Sequence, residues 1–240
     1  VLVGRAVKAS EYIMSEDKEY SAVMRLGIET DTEDITGNVI RSDSAIPGED
    51  EVYRVCESFC GEISQIPPMY SAIWQDGRRL HEIAREGGVV EREARKVTVS
   101  RLRVKKIDEA TYSLDVACSK GTYIRTLCAD IGKALGCGAV MTSLRRTEAC
   151  GFPVRESITL DAVMAEPEPE TLLRPVDALF AAYPAVTVEG KNLFRARNGN
   201  SFACGAGEGL RRVYGPEGEF LLLGDCRGGE MRTVKSFFEV

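Results

Sequence analysis

The segment Ser119-Lys120-Gly121-Thr122-Tyr123-Ile124-Arg125 constrains this chain more than any other. The run Thr111–Cys118 ahead of it has the alternation of a strand, and apolar residues return at three-to-four spacing over about 124–135. A strand therefore passes through a glycine turn into a helix, with a tyrosine and an arginine at the junction. An aromatic face supplies stacking, and a guanidinium supplies a planar fork that pairs with a carboxylate or phosphate. The combination suits a pocket that holds a flat, uncharged ring beside a carboxylate.

At 240 residues the chain can bury a sizeable core, as one large domain or one domain with a small appendage. No apolar run is long enough for a membrane-spanning helix, and no stretch reads as a signal peptide. Eight cysteines are scattered without a CxxC pair, and His81 is the only histidine, so neither a metal nor a disulfide framework is expected. The expectation is a cytoplasmic, reduced, metal-free protein. The net charge of −6 hides an asymmetry: residues 1–94 carry 10 basic and 19 acidic side chains, and residues 95–155 carry 12 and 5. A basic surface for a polyanion and an ordinary solvated face both fit that charge.

Periodicity predicts strands at Tyr20–Gly27, Arg95–Ile107 and Thr111–Cys118, and helices at Glu49–Phe59 and Arg79–Glu86. It also predicts helices at about 124–135, 138–145 and 159–166. The first residues read as an apolar, strand-like run. Thr30–Gly37 is a polar loop dense in turn formers, and Pro67-Pro68 starts an extended segment reaching the turn Asp76-Gly77. After the acidic connector Glu166–Glu170, short strands and glycine turns suggest a small β domain at 183–240.

One ordered set of motifs runs through the chain. It comprises Lys18-Glu19-Tyr20, Arg25-Leu26-Gly27, Thr30–Gly37, Gln65-Ile66-Pro67-Pro68-Met69-Tyr70-Ser71-Ala72, Gly121–Arg125, Leu135–Ala139 and Leu144-Arg145-Arg146. In order and spacing this set resembles the bacterial tRNA pseudouridine-55 synthase (TruB) family. The resemblance implies an α+β pseudouridine synthase fold: a mixed, mainly antiparallel sheet flanked by helices, plus a small C-terminal PUA-like β domain. The corresponding division is a catalytic domain at 1–182 and a PUA-like RNA-binding domain at 183–240. It implies isomerisation of a uridine in the T-loop of tRNA by base flipping, with no metal or organic cofactor and no obligate protein partner. The alternative is a non-catalytic tRNA-binding or remodelling protein on the same scaffold.

The same resemblance supplies roles. Arg125 would pair with the catalytic aspartate, and Tyr20 would stack on the flipped uracil and take part in proton removal. Tyr123 and Leu144 would wall the pocket, Asp34 would hydrogen-bond RNA near the flipped base, and Lys120, Arg145 and Arg146 would meet phosphates. Tyr70 and Trp74 lie where the family approaches its substrate, although core packing would also explain them. The Cys56/Cys60 spacing places both on one helix face. The nucleophilic aspartate is expected about nine residues ahead of Val1, outside this chain. Without it the chain is expected to form no pseudouridine, and Arg125 to face solvent or phosphate.

Overall fold

Tyr20, Ala22, Met24 and Leu26 alternate along a strand whose inner positions are almost wholly buried: Ala22, Met24 and Leu26 are 1%, 0% and 2% exposed. That strand, β1 (Lys18–Leu26), lies inside a six-stranded sheet whose named pairings are all antiparallel. The computed structural model describes residues 1–43 and 45–238. The chain divides into two compact units, one of Glu16–Ser157 and one of Val1–Ser15 with Ile158–Val240. Helix α1 (Ser10–Ser15) precedes β1 and belongs to the second unit.

From β1 the chain passes through the hairpin β2 (Ile28–Thr30) and β3 (Val39–Ser42) to helix α2 (Glu49–Glu57) and β4 (Gly61–Gln65). A two-residue hairpin, β5 (Trp74–Gln75) and β6 (Arg78–Arg79), leads into α3 (Leu80–Arg85). The long hairpin β7 (Arg95–Lys106) and β8 (Thr111–Cys118) then feeds α4 (Ile124–Ala134), β9 (Ala139–Ala149) and β10 (Phe152–Pro153). Sheet order is β10-β9-β1-β8-β7-β4.

Helices α2 and α4 supply Val52, Cys56, Leu127, Cys128 and Ile131 to a core shared with Ala22, Met24, Leu114 and Val116 of the sheet. Each fully buried aliphatic side chain of this kind contributes about 1.5–3 kcal/mol. Helix α4 stops because Gly136 follows its C-cap at φ +78°, a left-handed conformation that glycine adopts without strain.

Two segments differ from the sequence-based expectation. Residues 138–145 are not helical: Ala139–Ala149 is β9, paired along the length of β1. Val140 and Leu144 have helical spacing, but the ladder offered by β1, and the β-branched Val140, Thr142 and Thr147, favour a strand. The chain start is not a strand either: Gly4–Ala9 forms 3-10 turns that run into α1. Ala9 and Tyr12, three apart, both pack beside Phe180, which a strand's alternation would prevent.

In the second unit α5 (Leu160–Ala165) is capped by Thr159, whose Oγ1 accepts from the Ala162 N–H at 3.3 Å. The chain continues through β11 (Ala185–Thr187), α6 (Gly190–Arg197), β12 (Phe202–Ala203), β13 (Gly209–Tyr214), β14 (Phe220–Arg227) and β15 (Glu230–Ser236). These strands form a sheet of order β11-β13-β14-β15-β12, parallel only between β11 and β13. An aromatic cluster of Tyr12, Phe180, Phe220 and Phe237 fills one side of this unit. The architecture is α+β, with a mainly antiparallel sheet flanked by helices. No helix among the described residues is long and apolar enough to cross a membrane.

Candidate active site

Arg125 lies in the first turn of α4, where the glycine turn delivers it. Its Nη1 donates to Asp34 Oδ2 at 3.1 Å, and its Nη2 donates to the Tyr70 carbonyl at 2.7 Å. Both side chains are largely enclosed, at 22% and 18% exposure. Arg125 therefore does not face solvent or phosphate, as expected for it without the upstream aspartate; a carboxylate of the Thr30–Gly37 loop takes that place. Asp34 is well supported: its Oδ1 accepts from the Thr32 hydroxyl and from the amide and hydroxyl of Thr36. Burial alone would raise its pKa, but the Thr36 hydrogen bonds, with Thr32 and Arg125, outweigh burial and hold the carboxyl below its ordinary range. It is an ionised, oriented partner.

The loop carrying Asp34 is docked on β9. Ile35 N–H donates to the Met141 carbonyl at 2.9 Å, Met141 N–H donates to the Glu33 carbonyl at 3.2 Å, and Asp34 forms a parallel bridge with Met141. Strand β9 thus carries the Asp34 loop at Met141 and, further along the same strand, Leu144, Arg145 and Arg146. Across the β1–β9 ladder, Ala22 pairs with Leu144, Ser21 with Arg145 and Tyr20 with Arg146. The Arg146 guanidinium lies 5.6 Å from the centre of the Tyr20 ring, a cation–π contact on a half-buried tyrosine that also packs on the core. Leu144 is not a core leucine on a helix; it sits on a strand with 44% of its surface exposed. Lys120, Arg145 and Arg146 are exposed, and Tyr123 is half-buried at the N-cap of α4.

Three supporting residues escaped the sequence reading. Gln65 is 2% exposed, and its amide clasps the backbone of Tyr123, accepting from the N–H at 3.1 Å and donating to the carbonyl at 3.3 Å. Its signal was the Gln65-Ile66-Pro67-Pro68 motif, read there only as a family mark. Thr126 donates to Glu33 at 2.6 Å, one residue along from the Arg125–Asp34 pair. Glu33 lies in the Thr30–Gly37 motif and Thr126 directly follows Gly121–Arg125, but no spacing tells that the two meet.

Nearby aromatics divide. Tyr70 contributes its carbonyl to Arg125, whereas Trp74 is 62% exposed on the β5–β6 hairpin with the Arg79 guanidinium 5.3 Å from its ring centre. Trp74 is therefore not core. A cleft of about 560 Å³ lies beside that hairpin, lined in part by Pro67, Trp74, Arg92 and Arg95. Part of the basic charge of 95–155 is paired internally, as in Arg101–Glu19 at 2.8 Å and Lys96–Glu62 at 2.8 Å. Cys56 is buried in α2, but Cys60 lies beyond the helix end and is exposed, so the two share no helix face. Among the described residues, no group of three or more histidine, cysteine or acidic side chains could hold a metal ion.

Chemically, the arrangement offers an anchored guanidinium. Arginine has five N–H donors, and the Asp34 and Tyr70 contacts engage two of them. The rest can serve a second anion while Asp34 keeps the group from turning away.

Comparisons with known proteins bear on the family and the fold. The profile described as TruB family pseudouridylate synthase (N terminal domain) matches residues 1–124, and that described as tRNA pseudouridylate synthase B C-terminal domain matches residues 125–181. A tRNA pseudouridine synthase B from Aromatoleum aromaticum is 43% identical over 237 residues, covering 97% of this chain and 76% of the relative. One from Dechloromonas aromatica is 43% identical over 240 residues, covering 99% and 80%. The fold matches a solved chain from a Cbf5-Nop10-Gar1 complex with a TM-score of 0.69 at 24% identity, over 98% of this chain and 71% of that one. A chain of an H/ACA RNP bound to a substrate RNA containing 2'-deoxyuridine matches with a TM-score of 0.68 at 22% identity, over 99% and 71%. From the matched family profiles and the close relatives together, the chain belongs to the TruB family of pseudouridylate synthases.

Proposed function

We propose that this protein isomerises uridine to pseudouridine in tRNA, acting in the cytoplasm on the T-loop at position 55. Family membership and the names of its close relatives support the reaction. The observation that carries the reading to particular residues is the Arg125–Asp34 pair at the start of α4, 3.1 Å apart and largely enclosed. The reaction breaks the N1–C1′ glycosidic bond, turns the detached uracil and forms a C5–C1′ bond. The proton on C5 leaves and a proton is taken up at N1, so atoms balance without an oxidant or a reductant.

In this reading Arg125 orients and keeps ionised the nucleophilic aspartate that the family resemblance implies, through the donors that Asp34 and Tyr70 leave available. Tyr20 stacks on the flipped ring and is placed to assist proton removal, with Tyr123 and Leu144 as pocket walls. Lys120, Arg145 and Arg146 take phosphates of the T-stem-loop, contacts that position RNA without reading its sequence. Extruding the base costs a few kcal/mol, least where a loop already unstacks it, which favours a T-loop target. The small sheet within 183–240 serves as a PUA-like RNA-binding domain.

The test uses the full-length gene product and a T-stem-loop transcript with tritium on uracil C5. Release of tritium, with one uridine converted, is the expected result. Binding without release would instead indicate an RNA-binding protein on this scaffold, and neither binding nor release would refute the assignment. Arg125→Lys keeps the charge but loses the planar fork, and should lower kcat by about a hundredfold with a smaller change in KM.

A further inference from the structure

Glu33 adopts φ +64°, a left-handed conformation that is uncommon for a residue with a side chain. It does so where two neighbouring loop side chains meet the first turn of one helix. Glu33 Oε2 accepts from the Thr126 hydroxyl at 2.6 Å, and Asp34 Oδ2 accepts from Arg125 at 3.1 Å. Adjacent loop residues therefore grip adjacent helix residues. Thr126 is only 3% exposed, and the Glu33 carbonyl is tied to β9 through Met141 N–H, so the loop has contacts on two sides of its docking site.

Burial pushes the Glu33 carboxyl up, and Asp130 of α4 adds to this, while the Thr126 hydrogen bond, Arg125 and Arg92 act in the opposite direction. An acid so placed is costly to bury unless it is hydrogen-bonded, and the Thr126 hydroxyl supplies that bond.

We propose that Glu33 is a positioning residue for the reaction. Together with Thr126 it sets the height of the Thr30–Gly37 loop on α4, so that Asp34 holds the Arg125 guanidinium in one orientation. The inference rests on the reading above that Arg125 serves the isomerisation. It adds a second rung, Glu33–Thr126, beside the Asp34–Arg125 rung.

The experiment measures kcat and KM by tritium release for Glu33→Ala, Glu33→Gln, Thr126→Val, Thr126→Ser and the double variant Glu33→Ala/Thr126→Val in the full-length protein. Misplacement of a catalytic support by about 1 Å can cost about a hundredfold in rate. Glu33→Ala and Thr126→Val should each lower kcat about 10- to 100-fold and leave KM within about threefold. Glu33→Gln and Thr126→Ser keep a donor–acceptor pair and should stay within about threefold of wild type. The double variant should be no worse than the worse single one, because both remove one interaction. Thr126→Val preserves side-chain volume, so it decides the question if Glu33→Ala does not fold. Wild-type kcat in Thr126→Val, a loss confined to KM, losses that multiply, or a Gln variant as impaired as Ala would each overturn the proposal. An inactive wild-type protein would count against the functional reading instead.

Discussion

Substituting Gly132 by alanine tests whether the seat of α4 sets the site. A Cβ on Gly132 would fall 2.1 Å from Ala139 N, 2.3 Å from Gly138 C and 2.5 Å from Ala139 Cβ. The two nearest of these are backbone atoms, in a turn already closed by the Gly138 N–H donating to the Gly132 carbonyl at 3.0 Å. No flexible side-chain tip can move aside. Ordinary contact begins near 3.4 Å, so α4 and the start of β9 must separate by about 1.3 Å. Overpacking of this kind costs about 1–3 kcal/mol, and the backbone character of the clash points to the upper end. Alanine's better helix propensity offsets about 1 kcal/mol, which leaves a net loss of about 2 kcal/mol. A loss of that size corresponds to a fall in Tm of about 4–8 °C for a chain of this length. Because the shift exceeds what a 3.1 Å Arg125–Asp34 bond tolerates, kcat should fall with stability. Gly136→Ala is the control: it has nothing within 4 Å of its Cβ but sits at φ +78°, so it should cost stability through local strain while leaving α4 in place. Thermal melts and tritium-release kinetics on both variants give the answer. A Gly132→Ala protein with wild-type Tm and kcat would refute the argument that this close approach positions Arg125.

Two further outcomes follow from the charges and thiols. Asp34 has its folded pKa lowered, so its contribution to stability is fully present above its unfolded pKa and disappears as pH falls through the folded value; Glu33, raised, acts in the opposite sense and relieves a cost as it protonates. Urea melts between pH 7 and pH 3 should therefore show Asp34→Asn destabilised at neutral pH with a flatter acid limb, and Glu33→Gln no less stable than wild type at neutral pH. A strong loss of neutral-pH stability in Glu33→Gln would contradict this. Among the cysteines, burial pushes the Cys56 thiol up to about 12 and also raises Cys128, whereas Cys60 is exposed. Thiol labelling of the folded protein should lose its fastest phase in Cys60→Ser and keep it in Cys56→Ser, with Cys150 and Cys204, both half-buried, reacting more slowly.

What the sequence revealed and what it hid have a common physical origin. The strand–turn–helix junction at Gly121–Arg125, the β7–β8 hairpin and the helices at 49–57 and 80–85 are local, and local periodicity carries them. Residues 139–149 show the limit of that signal: over a short window Val140 and Leu144 fit a helix, and only the β1 ladder, more than a hundred residues earlier in the chain, decides for a strand. The site divides in the same way. Arg125, Asp34 and Tyr20 could be picked out because each lies in a motif, but no spacing tells which carboxylate the arginine meets, since Asp34 is 91 residues away. Gln65 and Glu33 lie 58 and 93 residues from the helix-start residues that they hold. These are single side-chain contacts between segments whose approach is set by the sheet. A motif therefore marks the segments that form the site, while which side chain holds which becomes visible only when the fold brings distant loops together. For this chain that places Glu33, whose role no spacing marks, directly beside Asp34, and makes the loop between β2 and β3 the segment where substitution should separate catalysis from folding.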